Sequence, residues 1–192
     1  MWKYVLPGIN ITIYEFALWF LIYSILGWLV ESIYMSVCNR KLTNRGYVRG
    51  PICPIYGVGG IFVHIMLCSF ANNIPCLFIA GSILATTLEF LTAKMMIRLF
   101  ECVWWDYSNK PFNYKGIICL ESSAAWGLYT IIEVLVLKKI VFMFIDKIPV
   151  HYGKVVIIIA VIYYLCAFLY NTYHTKKDGV QFKENNIMQY KY

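Results

Sequence analysis

Three stretches of this chain, about Thr12–Val37, Cys76–Ala93 and Val155–Tyr173, are apolar almost without interruption. A soluble fold rarely needs such runs, whereas a helix that crosses a bilayer requires about 20 mainly apolar residues. Segments at Ile55–Ala71 and Ile117–Leu137 are shorter or more polar but follow the same pattern. Composition agrees: 60% of the residues are hydrophobic and 14% charged, against roughly 45–50% and about 25% in soluble domains. The chain reads as an all-α, polytopic integral membrane protein with about five transmembrane helices. A single transmembrane domain is expected over 1–192, with the last helix at about 155–173 and a polar tail at 174–192. The first segment is too long for a signal-peptide core and no small-residue cleavage site follows it, so it is expected to remain a helix.

The net charge of +7 is explained by lysines and arginines in loops, and no basic stripe lies on a soluble fold, so nucleic acid is not an expected partner. The lipid bilayer is. Five spans put the termini on opposite sides. An outside N-terminus leaves 12 of the 17 lysines and arginines on the cytoplasmic side and 5 outside, which predicts N-out, C-in. Seven cysteines are scattered with no CxxC spacing, so neither a zinc site nor a redox dithiol is indicated, and no cofactor is implied. No GxxxxGK[ST] phosphate loop is present, so the chain does not hydrolyse nucleotide by that route.

Between the first two apolar segments lies Asn44–Gly60, NRGYVRGPICPIYGVGG. Pro51 and Pro54 push Gly50 and Cys53 out of the helical region, because each ring clashes with the preceding residue. An extended, rigid re-entry is expected here, leading through Tyr56 and Gly57 into the second helix. Such backbone survives near membrane depth only where protein or a watery cavity surrounds it. Ser24, Gly27, Gly57, Gly60 and Ser123 are expected at close helix contacts. Asn72–Asn73–Ile74–Pro75 reads as a tight turn, and Lys138–Lys154 as a connector whose apolar part, Ile140–Ile145, suits an interfacial half-turn. An internal echo at an offset of 70 residues sets Glu31 against Glu101, Arg45–Gly46 against Lys115–Gly116, and Tyr56–Gly57 against Trp126–Gly127. The corresponding repeats would be 15–72 and 76–142, parallel to one another.

In this topology Glu31, Glu89, Glu101 and Glu121 fall at one level with Arg45, Arg49 and Lys115. Charges at membrane depth cost about 2.5–3.5 kcal/mol each on insertion scales, so they are expected to face inward and pair. One reading is a structural ion-pair cluster that ties loops to helix ends, with Lys94 and Arg98 snorkelling. The other is a polar cavity open to the cytoplasm that takes a charged or zwitterionic solute, with Arg45 and Arg49 gripping an anionic group. His64 on an apolar helix reads as a hydrogen-bonded core residue. Ser122 and Ser123, with no base nearby, read as packing residues.

Tyr23-Ser24-Ile25-Leu26-Gly27-Trp28-Leu29-Val30-Glu31, Asn44-Arg45-Gly46 and Gly50-Pro51-Ile52-Cys53-Pro54-Ile55-Tyr56-Gly57 resemble the family catalogued as "Putative ABC-transporter type IV" (CmpB-like) membrane proteins. Leu88-Glu89-Phe90, Trp105-Asp106-Tyr107-Ser108, Pro111-Phe112-Asn113 and Gly116 to Leu120 resemble its second half, with Ile117 standing where a basic residue is expected. The resemblance covers roughly Phe16 to Gly127. It implies a bacterial permease of the cytoplasmic membrane, a transport subunit for a polar or anionic solute. Such a subunit requires an ATPase partner, an ion gradient or a second copy of itself. The competing expectation is a membrane-embedded enzyme or assembly factor acting on a lipid headgroup or cell-envelope precursor, with Glu31, Glu101 or Glu121 as general base.

Overall fold

The computed structural model describes residues 2–5, 11–44, 46–48, 50–100 and 105–177. Helix α1, Ile13–Asn39, begins where Thr12 and Glu15 cap one another: Thr12 Oγ1 accepts the Glu15 N–H, and Glu15 Oε2 accepts the Thr12 N–H. Two of the orphan amides of the first turn are satisfied in this way. Helix α2, Pro54–Leu67, opens with proline, whose missing N–H is no loss in a first turn. A 3₁₀ turn, Cys68–Phe70, leads to α3, Ile74–Phe100. There Asn73 Oδ1 accepts the Cys76 N–H and fixes the helix start at the expected turn. A small antiparallel hairpin follows, β1 Asn113–Tyr114 against β2 Ile118–Cys119. Helix α4, Leu120–Ile132, runs through a π-helical segment, Glu133–Leu137, into α5, Lys138–Lys147, without a break. Helix α6, Val150–Lys177, completes the described chain.

The fold is all-α apart from the hairpin. Ile13–Cys38, Ile74–Leu99 and Val150–His174 are long and apolar enough to cross a membrane, and Pro54–Phe70 is a shorter apolar helix. The expected connector at Lys138–Lys154 needs correction. Most of it is helix, α5 and the start of α6, with only the Ile148–Pro149 bend between them. The dibasic Lys138–Lys139 does not end the helix because the next turns still have a core to join. Val141 and Ile145 are buried against Tyr14, Leu18 and Trp19 of α1 and Ile157 of α6.

Helices α1 and α2 form one antiparallel pair, α3 and α4 another. Gly57 of α2 lies directly on Ser24 and Phe20 of α1, and Gly127 of α4 lies on Ser82 and Phe78 of α3. One turn further on, Gly60 accommodates Tyr23, while in the second pair the sizes are exchanged and Gly81 accommodates Thr130. Phe20, Ser24-Ile25-Leu26 and Glu31 thus stand in α1 as Phe78, Ser82-Ile83-Leu84 and Glu89 stand in α3. Across the rest of the surface, Ile83, Ile159 and Leu169 are among many large apolar side chains that face outward, as lipid-facing helices require.

A two-carboxylate site where the helix pairs meet

The first loop is held from both sides. Trp28 Nε1 donates to Asn44 Oδ1 at 2.7 Å, and the Cys53 N–H donates to the Ser24 carbonyl at 3.1 Å. On α6, Asn171 Nδ2 donates to the Tyr47 carbonyl at 2.6 Å, and the Tyr47 hydroxyl meets Thr172 Oγ1 at 2.9 Å. Gly50 has φ 148°, a backbone that side chains resist, and the Tyr163 ring occupies the space a Cβ would need. Pro51 is exposed and Cys53 is extended, as the prolines dictate. The loop therefore delivers Pro54 and Tyr56 to a fixed place, and Gly57 lets α2 close on α1.

In that place the Tyr56 hydroxyl donates to Glu31 Oε2 at 2.7 Å. The second pair repeats the arrangement with a different donor. Trp126 Nε1 donates to Glu89 Oε2 at 3.1 Å, and the rings of Tyr56 and Trp126 touch, with centroids 5.7 Å apart. Glu89 is only 4% exposed. It also accepts from the Tyr107 hydroxyl at 2.9 Å and from Ser122 Oγ at 3.3 Å. All three of these donors are neutral. Glu31 acts electrostatically on both Glu89 and Tyr107, so the two carboxyls share one field. Burial, and then the neighbouring Glu89, push the Tyr107 phenol well above its usual range, which keeps it a donor.

The hairpin positions Tyr107. Its N–H donates to the Gly116 carbonyl at 2.9 Å, and Trp105 Nε1 donates to the Ile117 carbonyl at 2.7 Å. Ser122 is placed by an unusual cap, in which Cys119 Sγ accepts the Ser122 N–H and Ser122 Oγ accepts the Cys119 N–H. Ser123 packs as expected, accepting from Thr86 Oγ1 at 2.8 Å across the α3–α4 contact.

Of the residues expected at one polar level, Glu31 and Glu89 come together. Glu121 does not join them. It is exposed and pairs with Lys110 at 2.9 Å, and that hydrogen bond raises the Lys110 ammonium above its ordinary value. Lys115 is exposed too, over the Tyr114 ring. Arg45, Arg49 and Glu101 lie outside the described residues. The second-pair counterpart of Glu31 is Glu89, not Glu101, because the spacing from carboxylate to aromatic donor is 25 residues in the first pair and 37 in the second. A single offset of 70 aligns α2 with α4 but misses α1 with α3. Tyr107, Ser122 and Trp126 were not among the expected site residues. Trp126 had a signal, its match to Tyr56; Tyr107 looked like any interfacial aromatic. His64 stacks edge-on against Trp19 at 4.0 Å between centroids. Among the described residues no three His, Cys, Asp or Glu side chains form a metal-binding group.

A family model described as "Putative ABC-transporter type IV" matches residues 18–172, from within α1 to within α6. No curated protein and no solved structure matches the chain.

Proposed function

The chain belongs to the family described as "Putative ABC-transporter type IV", and from that premise we propose that it is the membrane subunit of a transporter for a small polar solute. The observation that carries this reading is the Glu31–Glu89 junction: two carboxyls, in one electrostatic field, between two helix pairs. Buried charge at this depth is costly unless it faces a partner or a watery cavity, and the donors on Glu89 are all neutral. An ammonium group placed beside Glu89 gives that carboxyl a charged partner. A zwitterionic solute fits best, with its anionic group on Arg45 and Arg49 of the adjoining loop, since guanidinium grips carboxylate or phosphate in a bidentate way. Lys115 and Glu121, both exposed, are proposed for its outer rim, and Glu101 is kept as a further candidate of the same polar group. Gly50, Pro51, Pro54, Tyr56 and Gly57 are its scaffold.

The two pairs are read as copies of one parallel unit, about 15–72 and 76–142, in a single domain to which α6 is added. The recurring Phe-Ser-Ile-Leu-Glu pattern and the recurring glycine contacts support this. The protein is placed in a bacterial cytoplasmic membrane with five spans, N-out and C-in, and the site opens to the cytoplasm. Energy comes from an ATPase partner, an ion gradient or a second copy. The test is purification in mild detergent with bound partners, followed by flux of labelled zwitterionic and anionic solutes into proteoliposomes. Zwitterion flux that Glu31→Gln and Glu89→Gln abolish, with the variants still folded, is the expected result. Turnover of a lipid headgroup by the lone protein, without flux, overturns the transport reading in favour of a membrane enzyme.

A further inference from the structure

Away from the Glu31–Glu89 junction, the middle of the bundle holds a second polar group for which that site has no use. Glu133 is 7% exposed and sits at the start of the π-helical segment, where the Lys138 N–H reaches back to the Glu133 carbonyl. Neither of its carboxyl oxygens has a hydrogen-bond partner in the protein. Two further buried polar atoms beside it are also unpartnered, Trp19 Nε1 and the Tyr23 hydroxyl, at 1% and 5% residue exposure. Tyr23 faces both Trp19 and Glu133, and the two aromatic rings are 5.9 Å apart. Native proteins rarely leave four buried polar atoms unsatisfied around one point, and each such group needs a reason for being there. π-Turns inside α-helices recur at functional sites, since they redirect one side chain.

The groups around Glu133 decide what that reason is. Tyr23 of α1 and Lys138 of its own helix act on Glu133 itself; Trp19 of α1 and Cys68 of the 3₁₀ turn act on Tyr23, and His64 of α2 faces Lys138. Helix α3 brings Leu77, Ala80 and Leu84 against Val134, the residue next to Glu133. Among the described residues His64, Cys68 and Glu133 do not converge into a metal-binding group, and the indole N–H and the ammonium beside the carboxyl both repel cations. Lys138 does not neutralise the carboxyl directly: its Nζ donates to Cys68 Sγ at 3.3 Å, and Cys68 Sγ in turn meets His64 Nδ1 at 3.4 Å. A carboxyl buried without a paired charge is stable only when neutral. We propose that Glu133 is a proton-binding site in the middle of the bundle, exchanging its proton with water along the Lys138–Cys68–His64 side. The proton comes from the aqueous phase and returns to it, and no bond in the chain is made or broken apart from the carboxyl O–H. With the proton on, Glu133 has a donor for the Tyr23 oxygen and an acceptor for the Tyr23 or Trp19 hydrogen. This inference is independent of the solute site.

The test uses the full-length protein in phospholipid nanodiscs and the apolar reagent dicyclohexylcarbodiimide, which captures protonated carboxyls in apolar surroundings. Peptide mass spectrometry should find the adduct on Glu133, formed at least about tenfold more slowly at about pH 10 than at about pH 6. Glu133→Gln, the isostere of the neutral acid, should lose that adduct and keep the wild-type melting temperature. Three outcomes overturn the proposal. The first is no adduct on Glu133 at any pH in folded wild-type protein. The second is an adduct that appears only in Lys138→Gln, which marks an ion pair. The third is an adduct rate that does not change with pH, which marks an acid that never releases its proton.

Discussion

Tyr107 holds Glu89 from outside the helix pair, and the energetics at this residue separate the two carboxylate classes in the chain. A hydrogen bond to a charged group contributes about 1.5–3 kcal/mol, and breaking one in a buried place leaves the acceptor short of a donor. Tyr107→Phe should therefore lower stability by about that amount, with Trp126→Phe close behind. Glu121→Gln, which removes an exposed pair with Lys110, should leave the unfolding temperature essentially unchanged, because solvent screens such pairs. Thermal unfolding in detergent, monitored by retention of the monodisperse peak, reads all three. The Tyr107 phenol adds a pH statement. In the fold it lies above the ordinary phenol value of about 10, so its contribution is fully present below that pH and is lost only as pH climbs further. Phenolate absorbance at about pH 10 should accordingly be the same in wild type and Tyr107→Phe, because Tyr107 stays protonated there. Glu89 was legible in the sequence, since a carboxylate inside an apolar run must have a reason. Tyr107 was not: Trp104–Trp105–Asp106–Tyr107 has the composition of an interface belt, and only the hairpin turns one of its rings inward.

Helix contacts rest on glycines that differ in what surrounds them, and the differences are testable. At Gly57 a methyl group would run into Ser24 Oγ and into the backbone carbonyl of Phe20, which cannot move aside. At Gly127 it would meet the Ser82 hydroxyl and the far edge of the Phe78 ring. At Gly59 nothing lies within reach. Gly57→Ala should cost about 1–3 kcal/mol through overpacking, and Gly127→Ala less, because a ring edge can turn. Gly59→Ala should be neutral or stabilising by up to about 1 kcal/mol, the helix-propensity gain. Melting curves of the three single variants give the order directly. The sequence made the small residues of α1 and α2 readable, because spacing alone puts Ser24 and Gly27 near one face. It hid the match between α1 and α3, because the longer second loop shifts the register by more residues than a single offset tolerates. It also hid the continuation of α4 into α5. Lys138–Lys139 looks like a helix terminus, and only the facing Tyr14, Leu18 and Trp19 explain why Val141 and Ile145 stay buried beyond it.

At the scale of the whole molecule, the strongest unmeasured claim is the path of the chain through the bilayer. Three helices qualify as spans on length and apolarity alone; the two further crossings of the proposed topology are argued from packing. Helix α2 is short, but it lies antiparallel along α1 from Tyr56 beside Gly27 to His64 beside Trp19. The continuous α4–α5 helix carries Glu133, Lys138 and Lys139, yet it runs from Ser122 beside Glu89 to Val141 and Ile145 beside the start of α1. Any topology that keeps α1 in the membrane must carry these partners with it, because a helix that leaves would expose the apolar faces it covers. Helix α6 starts next to Tyr14 and ends next to Tyr47, so it runs in the direction of α1. Those contacts fix the relative directions of the helices, and the proposed absolute one, N-out and C-in, is the one the lysine and arginine bias favours. Reporter fusions after Lys41, Asn73, Lys110, Pro149 and Lys183 should read in, out, in, out, in. Outside signals at Asn73, Lys110 and Pro149 alike would mean that α3 and α4 do not cross. An inverted series with all alternations intact would keep the fold and reverse only the orientation, moving the Glu31–Glu89 junction to the outer face.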